Sequence, residues 1–371
     1  MRRLSGLVGV LALVLASAAF ATKPGPGTSS GPALVFAPNP VQDLGNQNLT
    51  DQKDADYAAL QPAYRPVTLT DLDGSGFLRG RWAVIVSETG NPAYSPTNTF
   101  RFNRHDDEFE QVMAYYWVTE AQKYIQSLGF GSSRRAVNME PQRLRINQWG
   151  IDNSFATTHK DEIRLGKGGV DDAEDGEVIL HEYGHAIHFA QDFQFNSTEA
   201  GAISEGFGDY WAVTVSQVVR AQLGLPASPD PACVADWDAV SYDPTPPHCL
   251  RRLDSNVHYP ESLVGQVHAD GRIWSAPCGR FAARSATSRR IRRFSRASSA
   301  SAADRCRRSH SESAPRPRAS TGTRTGTPLE LSSRGWASCP DRTVATTHER
   351  RGGRHVPSVP PSRLGRTSLD A

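Results

Sequence analysis

Beyond its first 21 residues, the 371-residue chain has no long apolar run. A bilayer-spanning helix needs about 20 consecutive apolar residues, so no membrane span is expected in the body of the chain. No internal repeat is visible. Cysteine is sparse and odd in number, at five. Cys233 and Cys249 bracket a Pro-rich loop and are expected to pair, with two free thiols as the other reading. Cys278, Cys306 and Cys339 are left over, which argues against a selected disulfide framework near the C-terminus. Lysine is absent from residues 276–371, which hold 20 Arg and 6 acidic residues and so carry +14. The 21 basic and 33 acidic residues before them give −12. The overall charge of +2 therefore hides an acidic body joined to an Arg-rich tail, and each part has to be read separately.

The body divides by composition. Arg2 and Arg3, the apolar stretch Leu4 to Phe20 and Ala19-Phe20-Ala21 have the pattern of a secretory signal peptide cut after Ala21; an uncleaved anchor is the alternative. Residues 22 to about 56 are rich in Pro, Gly, Asn, Asp and Gln and suit an irregular arm that wraps a domain, or a disordered lead-in. Pro66 to Thr70 and Trp82 to Ser87 are strand candidates joined by a turn over Asp71-Leu-Asp-Gly-Ser-Gly76. That turn has the look of a calcium loop but lacks the bidentate Glu such a loop needs. Asp106 to Leu128 has one broad apolar stripe at helical spacing and is read as a packing helix ended by Gly129. Arg143 to Trp149 and Glu162 to Leu165 are further strand candidates. The acidic run Asp171 to Glu177 immediately precedes another helix, where the dipole and unpaired N–H groups favour carboxylates. A calcium site drawing on some of them is the second reading.

The chemistry concentrates in Val178 to Trp211. His181 and His185, four apart, share one helix face and can grip one ion, with Glu182 beside them. A helix from about Ala202 to Leu223 brings Glu205 and Asp209, again four apart. Imidazole nitrogen suits Zn²⁺, and a third ligand with one open position makes a catalytic site. Glu205 is the expected third ligand, and Asp209 is expected to hold the free N–H of a ligating histidine, His181. Two surface histidines on an amphipathic helix are the bland alternative, which leaves Glu205 and Asp209 as coincidence. His188 is read as a bystander. With His188 and Gln191 in place of the Gly and His of a metzincin, that zinc class is excluded.

Val-Ile-Leu-His-Glu-Tyr-Gly-His followed by Gly-Ala-Ile-Ser-Glu-Gly-Phe-Gly-Asp resembles the thermolysin-like zinc peptidases. The nineteen residues between His185 and Glu205 match that family, whereas related zinc aminopeptidases have one fewer there and carry a Gly-x-Met-x-Asn motif that this chain lacks. Gln266-Val-His-Ala-Asp-Gly-Arg-Ile-Trp274 extends the likeness, which is closest to the fungalysin branch and runs from Asn153 to Ser275. The resemblance implies an α+β, two-lobed zincin: a β-rich N-terminal lobe, a central zinc-binding helix and a helical C-terminal lobe, here truncated. It implies one catalytic Zn²⁺ on His181, His185 and Glu205, Glu182 as general base and His268 as oxyanion donor. It also implies Asn153 and Ser154 on a substrate-pairing edge strand, and Arg251 near the pocket for the residue after the scissile bond. The tyrosine that assists the oxyanion histidine in the family falls at Asn196 here.

The expected layout is a signal peptide over 1–21, an arm and β-rich region over 22–100, a peptidase domain over 101–275, and a distinct segment over 276–371. The expected function is a secreted, monomeric endopeptidase acting on protein or peptide, with no specific nucleic-acid partner. The alternative is an impaired remnant, an exported protein that binds zinc, or an acidic partner through its tail. The composition of residues 276–371 is that of a displaced reading frame in a GC-rich gene; a disordered basic tail and a folded domain are the competing readings.

Overall fold

The computed structural model describes residues 29–284 and 367–368, except 88, 89, 148, 149, 151, 159, 160 and 244. The chain divides into two units, residues 1–300 with 365–371 and residues 301–364, and every described residue belongs to the first. The signal-peptide reading, and most of the tail with Cys306 and Cys339, lie outside the described residues. So does Trp149, the end of one strand candidate.

The described chain is α+β. Strand β1 (Ser29–Val35) pairs antiparallel with β2 (Arg65–Leu72). Alternate residues Ala33, Val35, Val67 and Leu69 face the core. A second, mixed sheet runs in the order β3 (Ala83–Ser87), β4 (Gln142–Arg145), β6 (Glu162–Arg164), β5 (Phe155–Thr157), β9 (Thr367–Ser368). The first three strands are parallel to one another and the last two pair antiparallel. The strands read at 66–70 and 82–87 thus go to different sheets. The irregular arm expected over residues 22 to about 56 is corrected from Ser29 onward. β1, then α1 (Pro40–Leu44) with Asn39 as its N-cap, lie within the fold. Ala33, Val35, Phe36 and Val41 are fully buried. Pro and Gly around a four-residue apolar run hide a strand whose register comes only from its distant partner β2.

The helix α2 (Glu108–Ser127) is enclosed on almost every face rather than along one stripe. Phe109, Met113, Ala114, Tyr115, Trp117 and Val118 are all fully buried. It packs against β1, β3 and α3 (Gly176–Phe189). α3 begins at its N-cap Asp175, which accepts the Glu177 N–H at 2.9 Å. α4 (Thr198–Gln222) starts at Ser197, whose hydroxyl accepts the Ala200 N–H at 3.1 Å; this capping puts its start four residues before Ala202. α3 and α4 cross at Gly184 and Gly208. A methyl on Gly184 would sit 3.0 Å from the Gly208 Cα, so any larger residue would have to push the two helices slightly apart.

Beyond α4, β7 (Cys233–Val234) and β8 (Arg251–Arg252) pair antiparallel, and the Cys233–Cys249 disulfide closes the loop between them. That loop carries α5 (Ala239–Tyr242). α6 (Val267–Arg284) packs on α4. The domain boundary expected at Ser275 falls inside α6. The helix continues past it through Pro277, with Ala276 fully buried and Cys278 against the core. Proline at that point removes one helical hydrogen bond; burial on the α4 side holds the helix together. Among the described residues no helix is long and apolar enough to cross a membrane.

Candidate metal centre

One turn of α3 sets His181, Glu182 and His185 together, all within 1% of complete burial. Their ligand-type atoms lie within 4.8 Å of one another. α4 crosses below and adds Glu205. Its Oε2 lies 3.2 Å from His181 Nε2, and its Oε1 lies 3.5 Å from His185 Nε2. A tetrahedral ion with ligand bonds of about 2.0–2.1 Å has ligand–ligand edges of roughly 3.3–3.4 Å. The two distances from Glu205 to the histidines are close to that edge. Among the described residues, His185 Nε2 and Glu205 Oε1 have no hydrogen-bond partner, the condition of atoms kept for a cation.

Two carboxylates compete for the third place, and electrostatics separates them. Burial would raise Glu205, but His185, His181 and His268 outweigh it and hold the group near 2, ionised. Burial raises Glu182 to about 8, helped by Glu205 and Asp172 and opposed by His181 and the Ala156 amide of β5. Apart from the approach of the Ala156 amide, neither Glu182 oxygen has a close hydrogen-bond partner among the described residues. Glu205 is thus held as a carboxylate, the form that suits a cation, whereas Glu182 holds its proton up to about 8.

The back of each histidine is held. Asp209 lies one turn beyond Glu205, and its Oδ1 is 3.0 Å from His181 Nδ1. Burial opposes a charge on His181, but the hydrogen bonds to Asp209 and Glu205 raise it to about 9 in the metal-free site. Arg251, from β8, donates to Asp209 from Nε at 2.9 and 3.0 Å and from Nη2 at 2.7 Å. Despite burial, that guanidinium keeps Asp209 well below the usual carboxylate range. Arg251 thus sits behind His181. It also borders a cavity of about 610 Å³, lined by Tyr242, Leu250, Gln266, His268 and Arg272.

Ser204 had no spacing signal to reveal it. Its hydroxyl lies 2.7 Å from His185 Nδ1 and 3.0 Å from His188 Nδ1. If His185 keeps Nε2 for an ion, its Nδ1–H donates to Ser204, whose hydroxyl then donates to His188. His188 stacks between Phe193 and Phe207, and its burial lowers it to about 3. It reaches His185 through the Ser204 hydroxyl. Gln266 was also missed. Its amide donates to His268 Nδ1 at 2.8 Å, which leaves the hydrogen on Nε2. That Nε2 lies 3.4 Å from Glu205 Oε2, beside the metal-type cluster.

Of the remaining expected residues, Ser154 is buried and hydrogen-bonds the Asp172 carboxylate, so its hydroxyl is spent inward. Asn153 is half-buried next to it. Both lead into β5, whose far side is paired with Thr367–Ser368. Asn196 is exposed. No protein-family model matches the chain, and no curated protein matches it.

Proposed function

We propose that the chain is a secreted zinc-dependent endopeptidase of the thermolysin-like, two-lobed zincin kind, nearest the fungalysin branch, acting as a monomer on protein or peptide. One observation carries this reading: the Glu205 carboxylate lies 3.2 and 3.5 Å from Nε2 of His181 and His185, with the buried Glu182 beside them. Bound Zn²⁺ would supply Lewis acidity toward the peptide carbonyl and acidify water in the site.

The protein's own groups do the rest. Glu182 takes the proton of the attacking water and passes it to the leaving amine. Its affinity for the proton, raised by burial to about 8, suits both steps near neutral pH. His268, oriented by Gln266, donates from Nε2 to the carbonyl oxygen as that oxygen gains charge. One such donor is worth roughly 3 kcal/mol. Asp209 and Ser204 hold the rings of His181 and His185 in the tautomer that leaves Nε2 free. The neighbouring cavity, of about 610 Å³, is of a size to take a substrate side chain.

The test is hydrolysis of casein by purified protein, abolished by a chelator and restored by zinc. No hydrolysis from a zinc-loaded protein would favour an impaired remnant that binds zinc, or an acidic partner, without cleaving. Two observations favour that second reading: the +14 tail, and the pairing of Thr367–Ser368 along β5, where an extended peptide would otherwise add.

A further inference from the structure

A second cluster of acidic side chains lies outside the histidine site. Asp152 precedes β5, Asp172 opens the short turn before α3, and Asp238 is the N-terminal flank of α5. Each brings a carboxylate oxygen to within 4.8 Å of the other two. Asp172 and Asp238 are 2% and 1% exposed. Each buries an Oδ1 with no hydrogen-bond partner among the described residues, and so does the half-buried Asp152. Three carboxylates this close, with little water, cannot all ionise without a cation between them. The cation whose charge reaches Asp238 is Arg251, already committed to Asp209.

We propose that Asp152, Asp172 and Asp238 bind one hard divalent cation, calcium in preference to magnesium. All the donors are oxygens, which excludes a soft-metal site. Oxygens up to 4.8 Å apart can each lie about 2.4 Å from one central ion, the bond length of calcium; magnesium demands a tighter octahedron at about 2.1 Å. Further oxygens are close by: the Ser154 hydroxyl on Asp172, and the Tyr242 hydroxyl, 2.6 Å from the Asp152 carbonyl oxygen. Burial raises Asp172 to about 8 and Asp152 to about 6. A carboxylate trio in this state gains much from a cation. The ion ties together three segments remote in sequence: the lead into β5, the turn before α3 and the disulfide-closed loop. It does so whether or not the histidine site holds zinc.

The test uses the full chain, stripped of metal and reloaded with one equivalent of zinc. Calcium is then titrated against the unfolding temperature, with terbium luminescence as a direct probe of the site. We expect a single saturable site and a rise of roughly 5–10 °C at a hundredfold excess of calcium over its Kd. Magnesium should give less. Asp238→Asn should abolish both the terbium signal and the calcium-dependent rise. Asp152→Asn, at the more exposed corner, repeats the test with little demand on folding. A wild-type chain with no saturable terbium signal would overturn the proposal. So would variants that keep the full calcium-dependent rise, which would put calcium elsewhere.

Discussion

Arg251 grips Asp209 with two of its nitrogens, and Asp209 in turn meets the back of His181 at 3.0 Å. The pair comes from strand β8 and helix α4, 42 residues apart. It fixes the His181 ring from behind so that Nε2 faces Glu205. Asp209→Asn should therefore weaken zinc binding by about 10–100-fold, measured by competition with a chelator of known affinity. Unchanged affinity would show that Asp209 does not orient the ring.

In the proposed mechanism Glu182 carries the proton and does not ligate the metal. Glu182→Gln should retain zinc at one equivalent and lose about 10²–10⁴-fold in casein hydrolysis. Metal analysis and rate are measured on the same preparation. Full activity in this variant ends the mechanism.

The close crossing of α3 and α4 makes Gly208 a steric requirement. A methyl there would fall 2.8 Å from Cε1 and Nδ1 of His181. Gly208→Ala should displace the ring, lower zinc affinity and cost about 1–3 kcal/mol of stability. Zinc competition together with urea unfolding reads both effects; a variant with wild-type zinc affinity would mean that the helices can part without cost.

The metal-free chain should lose stability between about pH 6.5 and 8. Burial raises Glu182, Asp171 and Asp172 to about 8, against ordinary values of 4.5 and 3.8. The folded chain then keeps protons that the unfolded chain has lost, so stability falls as pH rises across that interval. His181, raised from 6.5 to about 9 by Asp209 and Glu205, works the same way: its contribution is lost as pH rises. His185 and His188 are lowered to about 3 by burial. They oppose the trend only below about 6.5, where the unfolded chain takes up their protons. Thermal unfolding in a chelating buffer should show the decline, and zinc with calcium should flatten it. A metal-free chain more stable at pH 8 than at 6.5 would contradict these assignments.

The disulfide between Cys233 and Cys249 closes a loop with a sequence separation of 16. Replacing both cysteines with serine should cost about 3 kcal/mol, read by urea unfolding under oxidising conditions. A double variant as stable as the parent would mean that the loop is held by its side chains alone. Because the loop carries Asp238, calcium affinity should fall as well.

How much of this was legible beforehand depended on how local the signal was. α2, α3 and α4 declared themselves because a 3.6-residue period needs only neighbours along the chain. The strand over 29–35 did not, because Pro32 and Pro38 frame a short apolar run whose partner lies some 35 residues away. The boundary expected after Ser275 rested on a change of composition, yet α6 runs on to Arg284, with Ala276 buried and Cys278 against the core. Ser204 and Gln266 were invisible for another reason. A lone Ser or Gln carries no spacing, and its role exists only once His185 and His268 stand beside it.

The sequence by itself determined the local half of the site. Residues four apart on a helix must share a face, so His181 with His185, and Glu205 with Asp209, were bound to act in pairs. Tertiary structure decided which carboxylate meets which imidazole, that Arg251 turns to Asp209, and that Asp152, Asp172 and Asp238 face one another. Those meetings join groups up to 86 residues apart. Only the packing of whole elements, with burial removing the water that would otherwise screen the charges, gives them their chemistry.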